Sequence, residues 1–264
     1  MRAADIDLSA VLSAVASAAD RALTLWADGE TRVRQWEKVP GHPVSEADLE
    51  VDDLLRRTLG LIDPGAGWLS EETADTVHRL DLDRVWVVDP IDGTRDYLRG
   101  RTGWAVSVAM VEHGAVQFGI LAAPARGETW AARRGQGATR NDTTLRAGDR
   151  MQLAGARVPA DQLPRIDRDL VTVDKPNSIA LRMAMVAADE ADLVATVRWG
   201  NEWDVAAAAL IAQEAGAIVT DALGQPLEYN RPDPVAFGLL CSASGIHTQA
   251  VERLAPRAQE ILGR

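Results

Sequence analysis

The chain has 264 residues, room for one large domain or two small ones, and 47% of them are hydrophobic, enough for a substantial core and too many for a disordered chain. Lys and Arg number 28 against 39 Asp and Glu, a formal charge of −11, which argues against broad electrostatic binding to nucleic acid or to an anionic membrane. One cysteine, Cys241, excludes an intrachain disulfide and a cysteine-built zinc site.

Leu8, Val11, Leu12, Val15, Ala18 and Ala19 recur at helical spacing and predict an amphipathic first helix. Residues 9–19 have the small residues of a signal peptide, but Asp5 and Asp7 stand where a basic segment belongs. No apolar run approaches the roughly 20 residues that span a bilayer, so a cytoplasmic protein without membrane contact is expected. The stretch from Trp26 to Trp36 alternates as a short strand does, and residues 38–43 read as a loop because two prolines and a glycine interrupt regular structure. A second helix then begins, with Ser45 at the N-cap and Asp48 at the third helical position, a Ser-x-x-Asp capping box. It runs to Asp63-Pro64-Gly65. Trp68-Leu69-Ser70 leads to Glu71-Glu72 at a strand end, and a valine-rich strand over 84–88 stops at Asp89-Pro90. A short helix over 94–98, a hairpin of 104–111 with 115–122 and a strand over 128–132 follow. The Arg- and Pro-rich stretch 140–167 marks the seam between two halves, 1–145 and 146–264. Beyond it the pattern predicts strands over 170–173, 217–220 and 236–241, helices over 178–189 and 204–214, and a closing helix over 247–262.

The residues able to do chemistry centre on Asp89-Pro90-Ile91-Asp92-Gly93-Thr94. Pro90 forces a turn from which Asp89 and Asp92 can point to one side, with the Ile91 carbonyl between them. Two carboxylates and a carbonyl suit a hard divalent cation, and free N–H groups at a helix start near Thr94 suit a phosphate. Alone, the hexapeptide reads equally well as an ordinary turn. Glu71-Glu72, Asp48 and Asp204, which opens an Ala-rich helix after Trp203, add further carboxylates, each with a plain structural reading of its own. The four histidines are scattered, so any metal must be held by carboxylates, which points to magnesium. Gly135-Gln136-Gly137 begins like a dinucleotide fingerprint but has Arg140 at its third glycine position. The tryptophans read as core and rim rather than as a stacking platform, because no basic groove accompanies them.

Together these segments carry a resemblance. SEE (70–72), WVVDPIDGT (86–94) and EWDVAAAALIAQEAGA (202–217) follow Lys38 and PVSEAD (43–48) in order. From about Lys38 to about Tyr229 the chain resembles the inositol monophosphatase superfamily of magnesium-dependent, lithium-sensitive phosphatases. The resemblance implies a layered αβαβα sandwich of the sugar-phosphatase type, its first half a helix pair on an antiparallel sheet and its second a smaller α/β unit. It implies a first magnesium held by Glu71, Asp89 and the Ile91 carbonyl, a second by Asp89, Asp92 and Asp204, and a weaker third touching Glu71. Asp48 and Thr94, with Glu71, would activate a water, and the N–H groups of Gly93 and Thr94 would bind phosphate. A homodimer acting on a small phosphorylated substrate is also implied.

Within the superfamily, Leu-Ser-Glu-Glu, Glu202-Trp203-Asp204 and PLEYN (226–230) look like the 3′(2′),5′-bisphosphate nucleotidase branch. Val197 and Arg198 stand near the place of a glutamate that holds sugar hydroxyls in inositol-type enzymes. The expected substrate is therefore 3′-phosphoadenosine 5′-phosphate, with Ser178, Arg198 and Glu202 as substrate contacts and Arg95, Arg99, Arg101 or Arg198 on its second phosphate. Inositol 1-phosphate and fructose 1,6-bisphosphate are the alternatives. A reading of another class is a non-catalytic regulator on the same fold.

Overall fold

Asp7 caps the first helix by accepting the Ser9 amide at 2.9 Å, and α1 (Leu8–Leu25) follows. The capping box forms as the spacing predicts: Asp48 accepts the Ser45 amide at 2.8 Å while the Ser45 hydroxyl accepts from Ala47, opening α2 (Glu46–Ile62). The computed structural model describes residues 2–26 and 33–263. By length and composition α1 passes the test for a membrane-crossing helix. Its apolar stripe, Val11, Val15, Ala18 and Ala22, is buried with Val51, Leu55 and Leu59 of α2, which accounts for that composition within the fold.

Residues 27–32 of the stretch expected as a strand lie outside the described residues. The strand that is present, β1 (Gln35–Val39), pairs with β2 (His42–Ser45), so the loop expected over 38–43 is a tight hairpin. Pro40 and Gly41 occupy its turn, Gly41 at a φ of +84° that a side chain would disfavour, and Pro43 is tolerated because the ribbon has only two strands.

Seven strands form the large sheet: β3 (Gly67–Ser70), β4 (Arg84–Asp92), β5 (Ala105–Glu112), β6 (Ala115–Ala123), β7 (Glu128–Arg133), β8 (Ala138–Arg140) and β9 (Thr143–Thr144), in that order. Only β3 and β4 run parallel. The apolar run of β4 is uninterrupted because both faces are covered: Trp86 and Val88 meet α1 and α2, while Val85 and Val87 face the opposite layer. The 94–98 turn of helix is α3 (Thr94–Leu98).

Beyond β9 the chain makes the parallel pair β10 (Arg157–Pro159) and β11 (Val171–Val173), then α4 (Ile179–Ala187), β12 (Leu193–Asn201), α5 (Glu202–Glu214), β13 (Ile218–Thr220), β14 (Val235–Ser242) and α6 (His247–Leu262). Part of the stretch read as a seam is thus β8 and β9 of the large sheet. The small sheet has the order β12-β14-β13. Helices α4 and α5 lie between the two sheets, and α6 covers the outer face of the small one, giving an αβαβα sandwich. The alanines of α5 have a steric purpose: a Cβ at Gly119 of β6 would stand 2.6 Å from the Ala207 carbonyl oxygen, so helix and sheet backbones touch. An apolar helix without a polar face is what two flanking sheets require.

Candidate active site

The strand β4 does not stop at Pro90. It continues to Asp92 across a bulge: Asp89 pairs with Ser107 and Asp92 with Ala105, three steps on β4 against two on β5. Residues three apart on a regular strand face opposite sides, and the one extra residue returns Asp92 to the side of Asp89. That side is the α4–α5 layer. Glu71 arrives there too, since its amide extends the ladder to the Val88 carbonyl (3.3 Å) and it follows Leu69 by two residues. Asp204 stands in the first turn of α5, its carboxylate accepting the Asn201 amide at 2.8 Å in a second capping box.

The outcome is a cluster in which oxygens of Glu71, Asp89 and Asp204 all lie within 4.8 Å of one another. Burial, reinforced by the neighbouring carboxylates, raises Asp89 well above the usual carboxylate range and Asp204 to about 8. A nest of oxygen ligands that repel one another when ionised fits a hard divalent cation and little else. Asp92 is turned otherwise. Its carboxylate accepts from the Ser178 hydroxyl (2.5 Å) and the Ala180 and Ile179 amides (2.8 and 3.3 Å), the donors at the start of α4. Burial raises it to about 6 against those hydrogen bonds, and its charge is felt at Asp204.

Asp48 faces the cluster from the other side of the sheet edge. One oxygen serves the cap, and the other lies 3.4 Å from the Thr94 hydroxyl, which is also 3.1 Å from the Ile91 carbonyl. Desolvation raises Asp48 to about 6. Gly93 caps α3 at a φ of +97°, and a Cβ there would stand 2.7 Å from the Gly103 carbonyl oxygen, so only glycine fits.

Two positioning roles escape a reading of the sequence, that of Asp52 and that of Lys38, although Lys38 opens the series of motifs. Asp52, one turn after Asp48, accepts from the Ser70 and Thr73 hydroxyls, both at 2.5 Å, and so pins the loop that carries Glu71. Lys38 reaches from β1 to Glu72 (2.5 Å) and Glu71 (3.4 Å). Burial opposes the Lys38 ammonium, but the two glutamates prevail and its pKa rises. Buried Glu72 is pushed up to about 7 despite that partner.

The expected substrate contacts divide. Ser178 is fully buried, caps α4 through the Leu181 amide and holds Asp92, so it is a support for the cluster rather than a contact. Glu202 is likewise committed: its carboxylate accepts the Asn230 and Arg231 amides at 2.6 and 2.9 Å, tying the 230 loop to α5. Arg95 donates to the Gly41 carbonyl and Arg101 pairs with Asp96. Arg198, exposed on β12, lines a cavity of about 730 Å³ that reaches Asp204. Arg182 of α4 lines it too, donating to the Ser178 and Asn177 carbonyls, and burial lowers its pKa. Its charge is felt by Asp92 and opposed by Arg198. Nothing in the pattern of α4 marks Arg182 as facing a cavity.

The sequence profile of the inositol monophosphatase family matches residues 5–262, and the chain belongs to that family. An inositol-1-monophosphatase of Mesorhizobium japonicum is 34% identical over 201 residues, covering 70% of this chain and 74% of the relative. A fructose-1,6-bisphosphatase/inositol-1-monophosphatase of Thermotoga maritima is 32% identical over 243 residues, covering 88% and 91%. Among solved structures, the extragenic suppressor protein SuhB of Bartonella henselae has a TM-score of 0.81 at 25% identity, over 94% of this chain and 97% of its own. The protein is accordingly a hydrolase of phosphate monoesters.

Proposed function

We propose that the protein is a magnesium-dependent phosphatase of small bisphosphorylated esters, foremost nucleoside 3′(2′),5′-bisphosphates such as 3′-phosphoadenosine 5′-phosphate. One observation carries this reading. Asp204, a member of the carboxylate cluster, lines the same cavity as Arg182 and Arg198. A second phosphate would give both guanidinium groups an anionic partner of the substrate's own, beyond the Asp92, Asp161 and Asp96 carboxylates whose charge Arg182 already feels.

Glu71, Asp89, the Ile91 carbonyl, Asp92 and Asp204 would hold two magnesium ions, which supply charge neutralisation at the phosphate and acidify a water. Asp48 Oδ1 takes the proton of the attacking water by way of the Thr94 hydroxyl, a task for which a carboxyl group near pH 6 is well placed. The N–H groups of Gly93 and Thr94 bind phosphate oxygens. Lys38, through Glu71 itself, and Asp52, through the Ser70 and Thr73 hydroxyls, keep Glu71 in place.

The test is phosphate release from 3′-phosphoadenosine 5′-phosphate, fructose 1,6-bisphosphate and inositol 1-phosphate, each with magnesium, with lithium added, and with EDTA. The expected order of kcat/KM places both bisphosphates above inositol 1-phosphate, with no turnover in EDTA. The name of the Mesorhizobium relative favours the second reading, inositol 1-phosphate, and a reversed order would establish it.

A further inference from the structure

Trp199 is the most exposed of the eight tryptophans, with 62% of its surface open against 42% for Trp36. It is not a slack surface residue. It stands on β12, an edge strand of the small sheet, directly after an irregularity between Thr196 and Trp199. Its cross-strand partner Phe237 meets it edge to face, ring centroids 5.1 Å apart at 62°, and braces the indole. Trp199 lines the same cavity as Arg182, Arg198 and Asp204. The next residue, Gly200, abuts the cluster, since a Cβ there would lie 3.4 Å from Asp204 Oδ2. A braced, open aromatic face thus stands beside two cations and within reach of the ester site.

The cavity, at about 730 Å³, is in the range of pockets that take drug-sized ligands, and it runs on from Trp199 past apolar Leu163, Val158 and Leu254. We infer that Trp199 determines specificity for a substrate whose non-reacting part carries a planar aromatic ring, a nucleobase, stacked on the open face of the indole. The inference rests on the phosphatase reading above and narrows it: a sugar bisphosphate satisfies Arg182 and Arg198 but leaves Trp199 without a partner. Stacking of this kind is indifferent to which base is present, because every base has a π face.

The experiment uses the full chain with magnesium. Steady-state KM values are compared for 3′-phosphoadenosine 5′-phosphate and fructose 1,6-bisphosphate in the wild type, Trp199→Ala and Trp199→Phe. Binding of adenosine 5′-monophosphate is measured by calorimetry in the same proteins. The expected result is that Trp199→Ala raises the ratio of KM values, nucleotide over sugar, about tenfold and weakens binding of the monophosphate about tenfold, with Trp199→Phe in between. Both quantities staying at wild-type values in Trp199→Ala would overturn the stacking role while leaving the phosphatase reading intact. A changed sedimentation coefficient in Trp199→Ala with both quantities fixed would assign the ring to a contact between copies, and overturn it as well. Wild-type protein that releases phosphate from none of the esters defeats the phosphatase reading instead, and the calorimetric comparison still decides whether the ring binds a base.

Discussion

The bulge of β4 and the junction of β12 with α5 contribute to one site and are built in opposite ways. At the bulge every group is over-determined: Gly93 admits no side chain, Ile91 donates its amide to Asp89, and Asp92 accepts three hydrogen bonds. At the junction, Arg198 and Trp199 stand on an edge strand, exposed to solvent. The first construction holds its groups in fixed positions, as phosphoryl transfer demands. The second leaves side chains that can be exchanged without moving the backbone, which is where a fold varies its substrate. On the proposed function, chemistry is fixed at the bulge and selectivity is left to the cavity that Arg198 and Trp199 line, with Asp204 common to both.

Asp204 joins the two regions, and Asp204→Asn breaks the comparison most severely. The expected fall in kcat is on the order of 10²–10³ with the fold retained, measured by phosphate release beside circular dichroism. The same variant sharpens the electrostatic account. Asp204 ionises at 3.8 in an ordinary setting and at about 8 here, so the native form keeps a proton that the unfolded chain has released. The contribution of Asp204 to native stability is therefore fully present below 3.8 and is lost as pH rises toward 8. In EDTA the wild-type Tm is expected to fall steadily from pH 5 to pH 8, magnesium to restore it, and Asp204→Asn to flatten the profile. A flat wild-type profile in EDTA would refute the mutual repulsion of these carboxylates.

Asp52→Asn tests the rigid region more gently. One of the two acceptor oxygens that the Ser70 and Thr73 hydroxyls share is replaced by an amide nitrogen, and the loop bearing Glu71 loosens. The magnesium concentration for half-maximal activity is expected to rise about 10–100-fold, with a smaller change in kcat at saturating magnesium. An unchanged magnesium midpoint would reduce Asp52 to a packing residue.

The same contrast governs how much of the molecule is legible in its sequence. The α2 capping box, the valine-rich strand over 84–88 and the helix from 204 to 214 rest on local periodicity and neighbour chemistry, and they form, although β4 runs on to Asp92 and α5 starts at Glu202. The hexapeptide 89–94 holds its reactive groups within a few residues, so it can be recognised without knowledge of the bulge. Asp52 cannot, because its partners lie 18 and 21 residues away and a helical aspartate gives no sign of them. Glu202 misleads for a related reason: next to Trp203-Asp204 it reads as part of the site, yet its partners Asn230 and Arg231 are brought in by the tertiary fold. β12 escapes because an edge strand with exposed Arg198, Trp199 and Ala195 lacks the alternation of a half-buried one.

The smallest expected effect separates the two arginines of the open region. Arg198 is exposed, so its pull on a second phosphate is screened by salt, whereas the more enclosed Arg182 is screened less. Each is expected to contribute about 1.5 kcal/mol to a bisphosphate, roughly tenfold in KM relative to a monophosphate. In Arg198→Ala the KM ratio between bisphosphate and monophosphate should lose most of its dependence on ionic strength. Arg182→Lys keeps the charge but cannot reproduce a guanidinium that donates to the Asn177 and Ser178 carbonyls at once, so it should shift the ratio while its dependence on salt persists. Equal salt dependence in the two variants would show that both guanidinium groups act through solvent, and the second phosphate would then have to be held elsewhere than at Arg182.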